Sequence, residues 1–135
     1  MSPRIEFDHE FSYRDLGKGL FPGLAVTLVG PAGEDDLIAI VDTAATYCLF
    51  NGIRAQAIGL DLASGRRETL SSLTGHLNGW IHRVELEILG SRFQCEVAFS
   101  DQPIPRELLG RHSLFEQIRI GFREGLSTGY FHPMP

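Results

Sequence analysis

Ile38-Ala39-Ile40-Val41-Asp42-Thr43-Ala44-Ala45-Thr46 is the stretch from which the rest of the chain is read. An apolar run rich in β-branched residues delivers a single carboxylate, and small residues then turn the chain sharply. β-Branched side chains suit the pleated, half-buried surface of a strand. A carboxylate at the end of a buried strand is costly unless it is paired, hydrogen-bonded or used. Asp42 is therefore the leading candidate for a functional residue. The bland alternative is an Asx-turn, in which its side chain bonds its own loop.

Working outward, residues 24–29 (LAVTLV) read as a strand and residues 30–35 (GPAGED) as a turn. Residues 37–41 then form the second arm of a hairpin that ends at Asp42. After the turn, residues 47–50 re-enter as a short apolar strand. Asn51 is placed to cap a brief helix over residues 53–58, which Gly59 closes. Residues 60–67 read as a strand with a turn at Ser64-Gly65, which leaves Arg66-Arg67 at a solvated turn. Residues 68–80 are mostly polar. From His82 onward Val84, Leu86 and Ile88 alternate with Arg83, Glu85 and Glu87, and residues 93–99 alternate again, which predicts a hairpin. Pro103 and Pro105 mark a loop; a short helix near residues 112–117 and a last strand over 118–122 follow.

The boundaries predicted are an N-terminal arm (1–23) with at most a short strand near residues 5–7, one domain (24–122), and a loose tail (123–135). Tyr130-Phe131 in that tail is free to pack on a neighbour. Many short strands, tight turns and little helix give an all-β class, a small closed or sandwich-like barrel with one or two short helices.

Composition narrows the function. With 135 residues, 43% hydrophobic and 21% charged, the chain reads as one globular domain. A net charge of −5 argues against nucleic acid as a partner, because phosphate binding needs a basic face. No run approaches the ~20 apolar residues of a membrane span, and the charged N-terminus lacks a signal-peptide core. Cys48 and Cys95 have no metal-ligand spacing and read as free buried thiols of a reducing cytoplasm. His9, His76, His82, His112 and His132 are scattered, so neither a metal nor another cofactor is expected. Ser71-Ser72 lies in no nucleophile elbow, and no glycine-rich phosphate loop follows a strand.

Three stretches taken together resemble the retropepsin-like (retroviral-type) aspartic peptidases, with the look of a bacterial-type, single-domain member. Asp42-Thr43-Ala44-Ala45 is similar to the family's Asp-Thr-Gly-Ala catalytic turn, with Ala44 where the family has glycine. Thr74-Gly75-His76-Leu77-Asn78-Gly79 looks like its substrate-covering flap, 33 residues on (75 − 42). Trp80, next to it, reads as an anchoring aromatic. Leu108-Leu109-Gly110-Arg111 looks like the apolar-apolar-Gly segment that supports the turn, 35 residues further (110 − 75).

The resemblance implies an acid-protease barrel and hydrolysis of peptide bonds in extended polypeptides. One Asp-Thr turn per chain implies a homodimer in which two Asp42 carboxylates share a water, with Thr43 bonding across to the partner's turn. The alternative function is a catalytically weak or inactive relative, a dimerisation or peptide-binding module, because Ala44 adds a methyl group where backbones are expected to meet.

Overall fold

Residues 82–99 build the longest hairpin of the molecule. β8 (Gly75–Ile88) and β9 (Ser91–Ser100) pair antiparallel from Gly79↔Ser100 to Ile88↔Ser91. The computed structural model describes residues 4–72 and 75–135. Ahead of that hairpin lie β1 (His9–Ser12), β2 (Arg14–Asp15), β3 (Leu20–Phe21), β4 (Gly23–Gly30), β5 (Gly33–Val41), β6 (Leu49–Asn51), helix α1 (Gly52–Ala57) and β7 (Arg66–Ser72). After it come β10 (Leu108–Leu109), β11 (Ile118–Arg123) and β12 (Thr128–Pro133).

The main sheet runs β4-β5-β10-β6-β9-β8-β7, and β4 also pairs with β8. That extra pairing brings six strands round into a ring and leaves β7 outside it, attached to β8. The inward residues alternate as the pattern predicts. Leu24, Val26 and Leu28 of β4 face Leu37, Ala39 and Val41 of β5, together with Val84, Leu86, Ile88, Phe93, Val97 and Phe99, all buried. Each Val, Leu, Ile and Phe among them contributes about 1.5–3 kcal/mol on burial, so this ring interior is the main source of stability. The class is all-β.

Several expectations need correction at the level of elements. The turn between β4 and β5 is only Pro31-Ala32, and Glu34, Asp35 and Asp36 lie on β5. Asp35 and Asp36 are accommodated on the strand by partners: Thr27 Oγ1 donates to Asp36 Oδ1 at 2.6 Å, and Arg54 reaches Asp35. Residues 62–64 form a 3₁₀ turn instead of a strand, and Arg66-Arg67 open β7 instead of sitting in a turn. There the Arg67 guanidinium lies over the Trp80 ring. Asn51 occupies the N-cap position of α1 but makes no side-chain cap bond.

The two chain ends differ most from expectation. Residues 5–7 form no strand, whereas β1 pairs with β12, which pairs in turn with β11, giving a three-stranded sheet. Phe131 is fully buried in the chain's own core, its ring 6.1 Å from Phe93, so the tail is neither loose nor free for a neighbour there. Tyr13 Oη donates to Glu124 Oε1 at 2.9 Å and fastens arm to tail. Six residues without strong alternation gave no local sign of this; the strand forms because β1 and β11 are both beside it.

Candidate active site

Asp42 stands where three distant segments meet. Moving along the end of β5, the Ile40 N–H donates to Glu107 O (2.9 Å), the Val41 N–H to Pro22 O (2.9 Å), and the Asp42 N–H to Leu109 O (3.0 Å). β10 runs parallel to β5, with Leu108 beside Ile40 and Leu109 beside Val41, and antiparallel to β6 at Leu49. It is thus wedged between the strand that enters the turn and the strand that leaves it. The turn closes through Ala45 N–H to Asp42 O at 3.1 Å. Behind it, Arg111 N–H donates to Ala45 O (2.9 Å) and His112 N–H to Thr46 O (2.6 Å).

The close fit explains Gly110. A Cβ there would run into the Tyr47 carbonyl and lie 2.9 Å from Ala45 O. The Gly110 N–H also points at Cys48 Sγ, 3.4 Å away. Leu109 is buried and Leu108 half-buried on either side. Arg111 supports the turn through its backbone; its exposed side chain has no partner among the described residues.

The Asp42 side chain is half-buried, and its Oδ1 accepts the Ala44 N–H at 2.9 Å. The Asx-turn bond read as an alternative is therefore present. It occupies one oxygen, and Oδ2 takes no hydrogen bond among the described residues. Thr43 and Ala44 are exposed, and the Thr43 hydroxyl is unpaired within the described chain. Among described residues other than glycine, positive φ occurs only at Leu89, Ser113 and Ser127. Ala44 thus sits in ordinary backbone, and its methyl group carries no conformational penalty in this chain.

The second motif lies at the end of a ribbon. β7 and β8 pair from Arg66↔Ile81 to Ser72↔Gly75, but β9 pairs with β8 only as far as Gly79. Among the described residues, 76–78 therefore pair with β7 alone. Thr74 lies outside the described residues. Gly75 takes φ +134° and His76 is exposed, its Nδ1 3.3 Å from Ser71 Oγ. Leu77 and Asn78 are half-buried, and Thr69 Oγ1 donates to Asn78 Oδ1 at 3.3 Å. Gly79 is buried where the ribbon leaves the ring; a Cβ would lie 3.2 Å from Phe99 O and 3.3 Å from Leu70 Cδ1. Trp80 Nε1 reaches Asp101 Oδ1 at 3.4 Å at the base, and the Asp101 N–H donates to Asn78 O at 2.9 Å.

Sequence reading missed a charge cluster behind the turn. Arg54 Nε lies 2.8 and 2.7 Å from the two oxygens of Glu107, and its Nη1 lies 3.0 Å from Asp35 Oδ2. Glu107 first, then Asp35, holds the Arg54 guanidinium above its ordinary pKa, against the opposing effect of burial. Separations of 19 and 53 residues leave no local pattern to find. A second pair, His112 Nε2 to Glu96 Oε1 at 3.0 Å, draws the Glu96 carboxyl below its ordinary range. Both cysteines are free and buried, and burial pushes Cys48 up to about 12 and Cys95 to about 11. Among the described residues no group of three or more His, Cys, Asp or Glu gathers to hold a metal, and no helix is long and apolar enough to cross a membrane. Two surface grooves, one beside α1 and one beside β4 and β5, are not lined by Asp42.

The chain matches no family model and none of the curated proteins. Among solved structures it is similar to the EIAV protease complexed with the inhibitor HBY-793. The TM-score is 0.53 and the sequence identity 18%, over 73% of this chain and 86% of that one. The fold is retropepsin-like. At that identity the likeness concerns architecture and points to no particular branch of the family. A ring of short strands with one Asp-bearing turn fits this fold, and so does the β10 segment laid behind that turn.

Proposed function

We propose that this chain is one half of a homodimeric aspartic peptidase. Asp42 from each copy would lie side by side, with one water between the carboxylates. Two such groups that close do not both ionise; one stays protonated and donates to the scissile carbonyl while the other takes a proton from the water. The β7–β8 ribbon would act as the flap, closing over a peptide bound as an extended strand. Thr43, exposed and unpaired among the described residues, is available to bond across to the partner's turn.

The observation that carries this reading is the Asp42 turn itself. Its backbone is fastened from behind at Leu109 O, while Oδ2 takes no hydrogen bond among the described residues. Preorganisation of this kind is what a catalytic carboxylate needs. The retropepsin-like fold supports it, and the absence of strain at Ala44 removes one objection. A second reading, a dimerisation or peptide-binding module without turnover, is favoured by the bond from the Ala44 N–H to Oδ1, which gives Asp42 a structural use.

A mixed peptide library, incubated from pH 4 to 7 with the protein and with Asp42→Asn, separates the two. Cleavage read by mass spectrometry should fall on the order of 1,000-fold in the Asn variant, while sedimentation shows the dimer intact in both. Equal cleavage by both proteins sinks the peptidase reading, and a silent wild-type dimer that binds peptides favours the module.

A further inference from the structure

Glu107 is the only carboxylate buried among the described residues, at 8% exposure. A carboxylate so placed is retained only with compensation. Oε1 and Oε2 both face Arg54 Nε, and Oε2 also accepts the Asn51 N–H at 3.1 Å. Through Arg54 the cluster reaches Asp35 on β5, and through Asn51 it reaches the proline loop. There Asn51 Oδ1 accepts the Ile104 N–H at 2.8 Å, and its Nδ2 donates to Ile104 O at 3.4 Å. The Asn51 side chain, left uncommitted by the helix it precedes, is spent on this loop.

The backbone of Glu107 does a second job. Its carbonyl receives the Ile40 N–H, and two residues later Leu109 O receives the Asp42 N–H. β10 is only two residues long, too short to fix its own register by ladder bonds. A slip of one residue would carry Leu109 O away from Asp42. Replacing a buried ion pair by apolar side chains is often neutral or stabilising, so stability alone does not account for this one. Fixed orientation does, because charge-assisted bonds accepted by both carboxylate oxygens leave little freedom in the direction the chain takes.

We propose that Glu107 is a positioning residue for Asp42: its pairing with Arg54 sets the register of β10 against β5 and thereby aims the Asp42 carboxylate out of the turn. The proposal builds on the peptidase reading, but its main readout does not depend on it.

The test compares Glu107→Gln, the apolar pair Arg54→Met/Glu107→Met, and Arg92→Gln as a control that breaks an exposed pair at the far hairpin. Amide hydrogen exchange is followed at Ile40 and Asp42 and, for reference, along the β11–β12 ladder. The apolar pair should melt close to wild type, yet exchange at least about tenfold faster at Ile40 and Asp42, with the reference ladder unchanged. On a peptide that the wild type cleaves, kcat should fall on the order of 100-fold with KM held within about twofold. Arg92→Gln should change neither. If the apolar pair does not fold, Glu107→Gln carries the same readouts. Wild-type protection at Ile40 and Asp42 in the folded variants, or protection lost equally in the reference ladder, overturns the proposal. A wild type that cleaves nothing removes the peptidase reading, and the exchange result then decides the positioning role by itself.

Discussion

The Asp42 turn and the β7–β8 ribbon are both short polar segments, yet they are held in opposite ways. The turn takes backbone bonds from Leu109, Arg111 and His112, and its neighbours Ile40 and Val41 are tied to Glu107 and Pro22. The ribbon beyond Gly79 has one strand partner, and its residues Thr69, Ser71, Gly75 and His76 are exposed. Local stability follows the number of buried contacts and protected backbone bonds. The described residues thus offer a carboxylate locked through its backbone and, further along the chain, a strand pair with fewer ties to the ring. A lid needs the second property and a catalytic group the first.

The largest test of that contrast is one substitution made in both places. Gly110→Ala puts a methyl group against the Tyr47 carbonyl, where backbone has no room to give, and should cost about 3 kcal/mol or prevent folding. Denaturant titration reads it directly, and a loss below about 1 kcal/mol would show the lock to be soft. Next in size, the Asp42 amide should exchange at least about 100-fold more slowly than those of residues 75–78; equal protection would erase the distinction. Gly79→Ala meets Phe99 O and the movable end of Leu70, and should cost no more than about 1 kcal/mol by the same titration.

The smallest effect concerns the side chain of His112, whose backbone belongs to the lock. Its bond depresses the Glu96 carboxyl, so the pair stabilises fully above the ordinary carboxylate value of 4.5 and is lost as pH falls through the lowered one. Melting curves of the wild type and Glu96→Gln should therefore differ near neutrality and converge once the pH has fallen through the lowered Glu96 value. A gap that persists in acid would mean that something other than this ionisation holds the region.

What could be read from the sequence was local. Alternation in residues 82–99 marked the inward face of the β8–β9 hairpin, and the β-branched run before Asp42 marked the end of β5. Gly110 was legible only through the resemblance of Leu108-Leu109-Gly110-Arg111 to the family's turn-supporting segment. The sequence did not show what depends on partners far along the chain. Phe131 looked like part of a loose tail because β12 exists only beside β1 and β11, and Asp35 looked like a turn residue because Arg54 lies 19 positions away. The charge cluster at Glu107 was hidden for the same reason. Ala44 looked strained only under a positive φ, and the backbone there does not adopt one.

The wedge made by β10 has a consequence for synthesis. The turn that carries Asp42 is translated before Glu107, a residue of its lock that follows 65 positions later (107 − 42). A nascent or truncated chain ending before residue 107 would hold the carboxylate on an unfastened loop. Every interval between making the group and fixing it is one in which the chain carries the residue without the geometry. Fastening of that carboxylate therefore waits on the synthesis of residues 107–112.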